Sequence, residues 1–321
     1  MKKILITCLL WLWIANVYAG GGMTHMLLAQ ETIKQLSSAE LRHLLQDNMD
    51  AYLVGAYYPD SGYIAENSYG EDSHWDPFIH AFADYIKETY PDPAIQQPKL
   101  LAFLFGCAAH RVSDEILHHV FFNVMKDKDF HGDYDKAHQY GDVGIDLLIN
   151  IEKNQWLTHP HTWWVPINDL LAVYQRMGLT QYTKQEITWG NTVIYLAGYG
   201  ERLISPIVYP YLKWKMPWTA KHYEDWAESG LIANEQKVAD YQMRLWLYLK
   251  GQGEKPTGIT RHYTESTANT AGIQFALKAL KRHTLKVVTV ANGDGSIELG
   301  IVKNRDDQAQ QIAEEVGRGM D

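Results

Sequence analysis

Apolar residues recur at three- and four-residue intervals along most of the chain, a period that predicts helices rather than strands. It predicts a helix over Met23 to Leu36 and a second one capped by Ser37, with Glu40 three residues on, running to about Met49. Tyr57 to Asp72, rich in Pro, Gly, Asn and Tyr, reads as a loop. Helical periods return over Trp75 to Tyr90 and over Lys99 to Met125, the latter apolar nearly all round and therefore expected at the centre of the molecule. Further helices are predicted over Asp135 to Glu152, Ile167 to Met177, Lys184 to Leu212 and Tyr223 to Leu249, with Pro206 and Pro210 expected to end or bend the third of these. After Gly251 to Gly258 the pattern changes. A helix at about Thr267 to Arg282 precedes Leu285 to Ile301, where two β-branched runs flank Asn292-Gly293-Asp294-Gly295, a hairpin signal, and a short helix is expected at about Asp306 to Val316.

The pattern gives an all-α class: a multi-helix bundle with a small C-terminal α/β appendage that contains a β-hairpin. Three segments are expected: a leader over 1–19, a helical body over 20–258 and an extension over 259–321. In the leader, Lys2 and Lys3 precede the apolar run Ile4 to Val17. The run is too short to span a bilayer and ends in Val17-Tyr18-Ala19, as a signal peptide cleaved before Gly20 would. An extracytoplasmic product, secreted or periplasmic, is the expectation, with no transmembrane segment in the mature chain.

Composition narrows the chemistry. Of the two cysteines, Cys8 leaves with the leader, so the mature chain has only Cys107, set in an apolar run where a small buried hydrophobe is expected. With no internal disulfide, stability must come from the core or from bound metal. The formal charge of -9 falls to -11 when Lys2 and Lys3 are removed, a balance that opposes a long phosphate-tracking groove and disfavours nucleic acid. A small phosphodiester remains compatible, since bound metal inverts the local potential.

Two ladders of polar residues break the apolar helices. His110, Asp114 and His118 stand four apart on one face of the most hydrophobic helix, and His138, Asp142 and Asp146 repeat the spacing on the next. Neutral imidazoles mixed with carboxylates form a ligand set suited to zinc, and burial of so many polar groups demands such a partner. His119 would serve in place of His118 if the helix were rotated, whereas His131, His159 and His161 lack the spacing. Asp60, after Pro59, and His74, before Trp75, are weak signals taken singly.

These positions carry a resemblance. Thr24-His25, Tyr58-Pro59-Asp60, His74-Trp75, Ala109-His110 with Asp114 and His118, Asp129-Phe130-His131-Gly132, Ala137-His138, Gly141-Asp142 with Gly144 and Asp146, and Val165-Pro166 occur in order through about Tyr174. The chain resembles the zinc-dependent phospholipase C superfamily, most closely the catalytic domains of glycosylphosphatidylinositol-specific phospholipases D, and more distantly the zinc-dependent single-strand nucleases. The resemblance implies about three zinc ions per chain, of the Lewis-acid kind that supports phosphodiester cleavage. One would be held by Asp60, His74, His110 and Asp114. A second would be bridged by Asp114 and completed by His25 with the amine and carbonyl of Gly20. The third would lie between His118, His138 and Asp142. Asp60 and Asp114 would be the carboxylates at the reacting centre, Asp60 as general base or water orienter, with Asp146 behind the ligands orienting a histidine.

The resemblance also implies a phospholipid substrate met at a membrane surface, with Tyr57, Tyr58, Tyr63, Tyr69 and Trp75 as candidates for contact with it. Phospholipase C activity is expected first, because the large propeller of the phospholipase D relatives has no counterpart in the roughly 60 residues after Gly258. The alternatives are glycosylphosphatidylinositol-type phospholipase D activity, a nuclease or other phosphodiesterase, and a non-catalytic zinc protein.

Overall fold

The structure is a computed structural model that describes residues 21–154, 160–258 and 285–303. The expected leader, Gly20, His159 and the helices expected at 267–282 and 306–316 lie outside the described residues.

The helices are α1 (Gly22–Thr32), α2 (Ala39–Asp47), α3 (Met49–Tyr57), α4 (Asp60–Ile64), α5 (Tyr69–Ser73), α6 (Asp76–Thr89), α7 (Pro93–Gln96) and α8 (Pro98–Ile116). They continue with α9 (Phe122–Asp129), α10 (Tyr134–Glu152), α11 (Ile167–Arg176), α12 (Lys184–Lys215), α13 (Pro217–His222) and α14 (Leu231–Leu249). Strands β1 (Trp163–Val165), β2 (Leu285–Ala291) and β3 (Ile297–Lys303) form one small sheet. The fold is thus the expected helical bundle with a β-hairpin at its C-terminal side.

Every residue of α8 from Leu100 to Ile116 is buried, as its all-round apolar pattern predicts. Its tightest neighbour is α3, and two glycines explain how close they come. A Cβ on Gly106 would lie 2.1 Å from the Tyr52 carbonyl oxygen, and one on Gly55 would lie 2.2 Å from that of Phe103. The two backbones therefore touch, and only glycine permits that approach. A second apolar cluster joins α9, α10, α12 and α13 through Phe121, Phe122, Leu148, Val208 and Leu212.

Several boundaries depart from the sequence pattern. The segment from Tyr57 to Asp72 is not a plain loop but holds α4 and α5, which pack so closely that a Cβ on Gly62 would lie 2.1 Å from the Gly70 nitrogen. α12 runs through Pro206 and Pro210 to Lys215; both prolines are exposed, on the side of the helix where lost backbone bonds cost least. The stretch expected from Tyr223 begins instead at Leu231, after Gly230 caps α14. The helix expected from Lys99 to Met125 widens over Leu117–Phe121 into a π-helical turn before α9.

β3 lies between β1 and β2, antiparallel to both. Trp163 pairs with Leu299 and Val165 with Ile297, so the hairpin is tied to a strand that follows the metal-ladder helices by only a short connection. Trp164 donates from Nε1 to Ser296 Oγ at 2.9 Å in the buried junction.

Candidate metal centre

Helix packing delivers the two polar ladders to each other. On α8, His110 and Asp114 are buried, and the π-helical turn presents His118 to the same side, with Nε2 3.2 Å from Asp114 Oδ1. Such single wide turns recur where a helix must aim a functional side chain. From α10, Asp142 places Oδ1 3.3 Å from His118 Nε2 and Oδ2 3.6 Å from His138 Nε2. His118, rather than His119, is the residue turned inward.

Asp146, the last rung of the α10 ladder, accepts from the Met23 nitrogen at 2.8 Å, the Thr24 nitrogen at 2.8 Å and Thr24 Oγ1 at 2.5 Å. Its bonds thus go to the first turn of α1 rather than to an imidazole. They satisfy amides that a helix start leaves open, and they fix the turn that carries His25. Gly22 lets that turn lie flat on Tyr57, whose ring a Cβ would meet at 1.9 Å. His25 Nε2 then lies 3.8 Å from Asp114 Oδ1. Asp60 opens α4 and reaches His74 Nε2 at 3.4 Å and His110 Nε2 at 3.8 Å through Oδ1.

Three groups result, each with its ligand atoms within 4.8 Å of one another: His25, His110 and Asp114; Asp60, His74 and His110; and His118, His138 and Asp142. They are consistent with up to three zinc sites. The third group is the expected one; in the other two the residue common to both is His110, where Asp114 was the expected shared ligand.

The chemistry of the donors fits metal. His25 Nδ1 lies 2.6 Å from Ser113 Oγ, His74 Nδ1 2.6 Å from the Gly70 carbonyl and His110 Nδ1 2.9 Å from the Ala56 carbonyl. With Nδ1–H engaged on an oxygen, each ring turns its Nε2 lone pair toward the cluster, the arrangement that orients metal-binding histidines. Burial holds the His25 imidazole below its ordinary value; it does the same to His110 more strongly, reinforced by the neighbouring His25 and His74 rings, so both are neutral donors. Among the described residues, His110 Nε2 and Asp60 Oδ2 are buried without a hydrogen-bond partner. Leaving such atoms unsatisfied costs about 1–3 kcal/mol each, a cost that a bound cation removes.

The aromatic candidates divide. Tyr57, Tyr58 and Tyr69 are fully enclosed, and the Tyr58 hydroxyl lies 2.8 Å from that of Tyr174 in the core. Tyr63 and Trp75 keep exposed surface and converge on Glu71, which accepts from the Tyr63 hydroxyl and, at 2.7 Å, from Trp75 Nε1.

One polar group was not foreseen. Glu201 on α12 is 2% exposed, and neither carboxylate oxygen has a hydrogen-bond partner among the described residues. Burial, with the nearby Asp146 and Asp60 carboxylates, pushes it well above the ordinary carboxylate range. The signal was present in the sequence: Ile194, Gly198, Glu201, Ser205, Val208 and Leu212 make one apolar stripe at helical spacing, with a single charge in it.

The family model described as zinc dependent phospholipase C matches residues 24–183, which contain every histidine and aspartate of the three groups. The chain belongs to the zinc-dependent phospholipase C superfamily. Within that superfamily it is similar to phosphatidylinositol-glycan-specific phospholipase D of Homo sapiens, 35% identical over 204 residues that make up 59% of this chain and 24% of the relative. The enzyme of the same name from Bos taurus is 33% identical over 229 residues, 66% of this chain and 27% of the relative. That of Dictyostelium discoideum is 29% identical over 234 residues, covering 68% and 24%. The chain spans about a quarter of the length of these superfamily relatives. No solved structure matches.

Proposed function

We propose that this protein is a zinc-dependent phosphodiester hydrolase that cleaves phosphatidylinositol-glycan lipids in the D-type sense, releasing phosphatidic acid. The observation that carries the hydrolase reading is the set of three imidazole–carboxylate groups meeting in one place. The sequence alone put C-type cleavage first; the relatives above are all named as D-type enzymes, which favours the alternative.

Zinc bound at these groups would act as a Lewis acid toward the phosphate and lower the pKa of water toward about 7. The ligands in this reading are His25, Asp60, His74, His110, Asp114, His118, His138 and Asp142, with the amine and carbonyl of Gly20 completing the site of His25 after removal of residues 1–19. Neutral imidazoles leave the ionic charge uncancelled and only three aspartates offset it, so an acidic chain still presents a phosphodiester with a positive centre. Asp60 suits the role of base: Oδ1 faces His74 and His110, while Oδ2 has no hydrogen-bond partner among the described residues and would take a proton from water. Asp114, between His25 and His118, ties the groups together. The body at 20–258 would be the catalytic unit of an exported protein, with 259–321 as its extension; among the described residues no helix is long and apolar enough to cross a membrane.

Product analysis tests this reading. The processed chain should release phosphatidic acid from a phosphatidylinositol-glycan lipid, and a chelator should abolish the reaction. Release of diglyceride instead would assign C-type cleavage, and hydrolysis of single-stranded DNA without any lipid product would overturn the lipid substrate.

A further inference from the structure

α12 has a second face that the site does not use. Leu203 is 59% exposed, Ile207 67% and Trp214 73%, and Pro206 and Pro210 between them also face solvent. Steps of three or four residues place all five on one stripe, on the side of the helix away from Glu201 and Ser205. Lys213 and Lys215 flank Trp214; the first pairs with Glu152 at 3.0 Å, and the second lies over the rings of Phe130 and Tyr140. Neither ammonium covers the stripe.

We propose that this stripe is the surface by which the protein rests on a phospholipid bilayer, with Leu203 and Ile207 entering the acyl boundary and Trp214 at headgroup level. The inference rests on the phospholipid reading above and adds where the lipid phase meets the protein. Three observations choose a bilayer over a second protein. The stripe is a ridge along one helix, which a fluid lipid surface accommodates without a shaped partner. It exposes on the order of 500 Å², within the range of the largest apolar patch on a monomer, which is often functional, and short of the roughly 800 Å² per partner of a stable protein interface. A tryptophan at the end of an apolar run matches the ring chemistry of the bilayer interface. The same helix reaches the metal centre from its inner side: Asn191 Nδ2 lies 3.4 Å from Ser61 Oγ, next to Asp60. Leu203, the near end of the stripe, follows Asn191 by twelve residues, about 18 Å along the helix axis at 1.5 Å per residue.

The test uses the full processed chain treated with chelator, so that binding is read without turnover. Sedimentation with phosphatidylcholine vesicles should show partitioning, and the triple variant Leu203→Ser, Ile207→Ser, Trp214→Ser should partition at least ten-fold less. A separate Ile207→Cys variant carrying an environment-sensitive dye should blue-shift on the same vesicles. Equal partitioning of parent and triple variant, or an unshifted dye, overturns the proposal. So does a vesicle-free parent that sediments as a dimer while the triple variant is monomeric, since the stripe would then be a self-interface. With zinc restored, both proteins should hydrolyse a short-chain, water-soluble phosphatidylinositol-glycan analogue at the same rate. Loss of vesicle binding in the variant with no hydrolysis by either protein would sink the catalytic reading and leave the docking surface standing.

Discussion

Asp114 reaches His118 across one turn of the α8 axis, its Oδ1 3.2 Å from the imidazole Nε2, and the same oxygen lies 3.8 Å from His25 Nε2. Asp114 thus belongs to the group of His25 and His110 and also approaches His118 of another group, whereas His138 touches only its own group at the edge of the centre. Asp114→Asn should lower zinc content by about two equivalents and His138→Ala by about one, on the basis that each group loses its ion with its shared donor. Elemental analysis of dialysed protein reads the difference; equal losses would show that Asp114 is not shared.

The contact between α3 and α8 supports the Ala56 carbonyl that holds His110. In Gly106→Ala the new methyl gains ~0.5–1 kcal/mol of helix propensity. It also meets the Tyr52 carbonyl oxygen at 2.1 Å and the Ala56 nitrogen at 2.6 Å. Overpacking of this kind costs ~1–3 kcal/mol, so the clash should win. A drop in melting temperature is expected together with weaker zinc retention, measured by competition with a chromogenic chelator. A more stable variant with normal retention would contradict the contact.

Glu201 gives a pH dependence of defined sign. Its folded-state pKa is raised by burial, so its stabilising contribution is complete below the unfolded value and is lost as pH rises through the folded one. His25 and His110 act oppositely, because their lowered values make their contribution greatest above the ordinary histidine range and lost as pH falls. Glu201→Gln removes only the first effect. In chelator-treated protein, the variant should be more stable than the parent at pH 8 by ~1–3 kcal/mol and nearly equal to it at pH 5. Thermal unfolding at both values measures the difference, and a variant weaker at pH 8 would mean that the carboxylate has an ionic partner there.

The metal ladders were legible because a four-residue repeat of His and Asp in an apolar helix needs only helical geometry to be read. Asp60 and His74 carried no such period, and their placement depends on Gly62 and Gly70 letting two short helices touch, which a propensity pattern cannot express. Asp146 was foreseen near the ligands, but its bonds to Met23 and Thr24 join residues more than a hundred positions apart. β1 was missed because Trp163-Trp164-Val165 is too short to show an alternation, and its partner comes from the far end of the chain. Glu201 was missed although the rule that found the histidine ladders applies to it equally.

The order of the sheet sets a timetable for biosynthesis. Trp163 and Trp164 leave the ribosome about 130 residues before the strand that pairs with them, a delay on the order of ten seconds at typical elongation rates. Through that interval the nascent polypeptide shows an aromatic strand edge of the kind that recruits other unfinished chains. A host that translates slowly without adequate holdase capacity should therefore yield insoluble product from a sequence whose finished form is well packed.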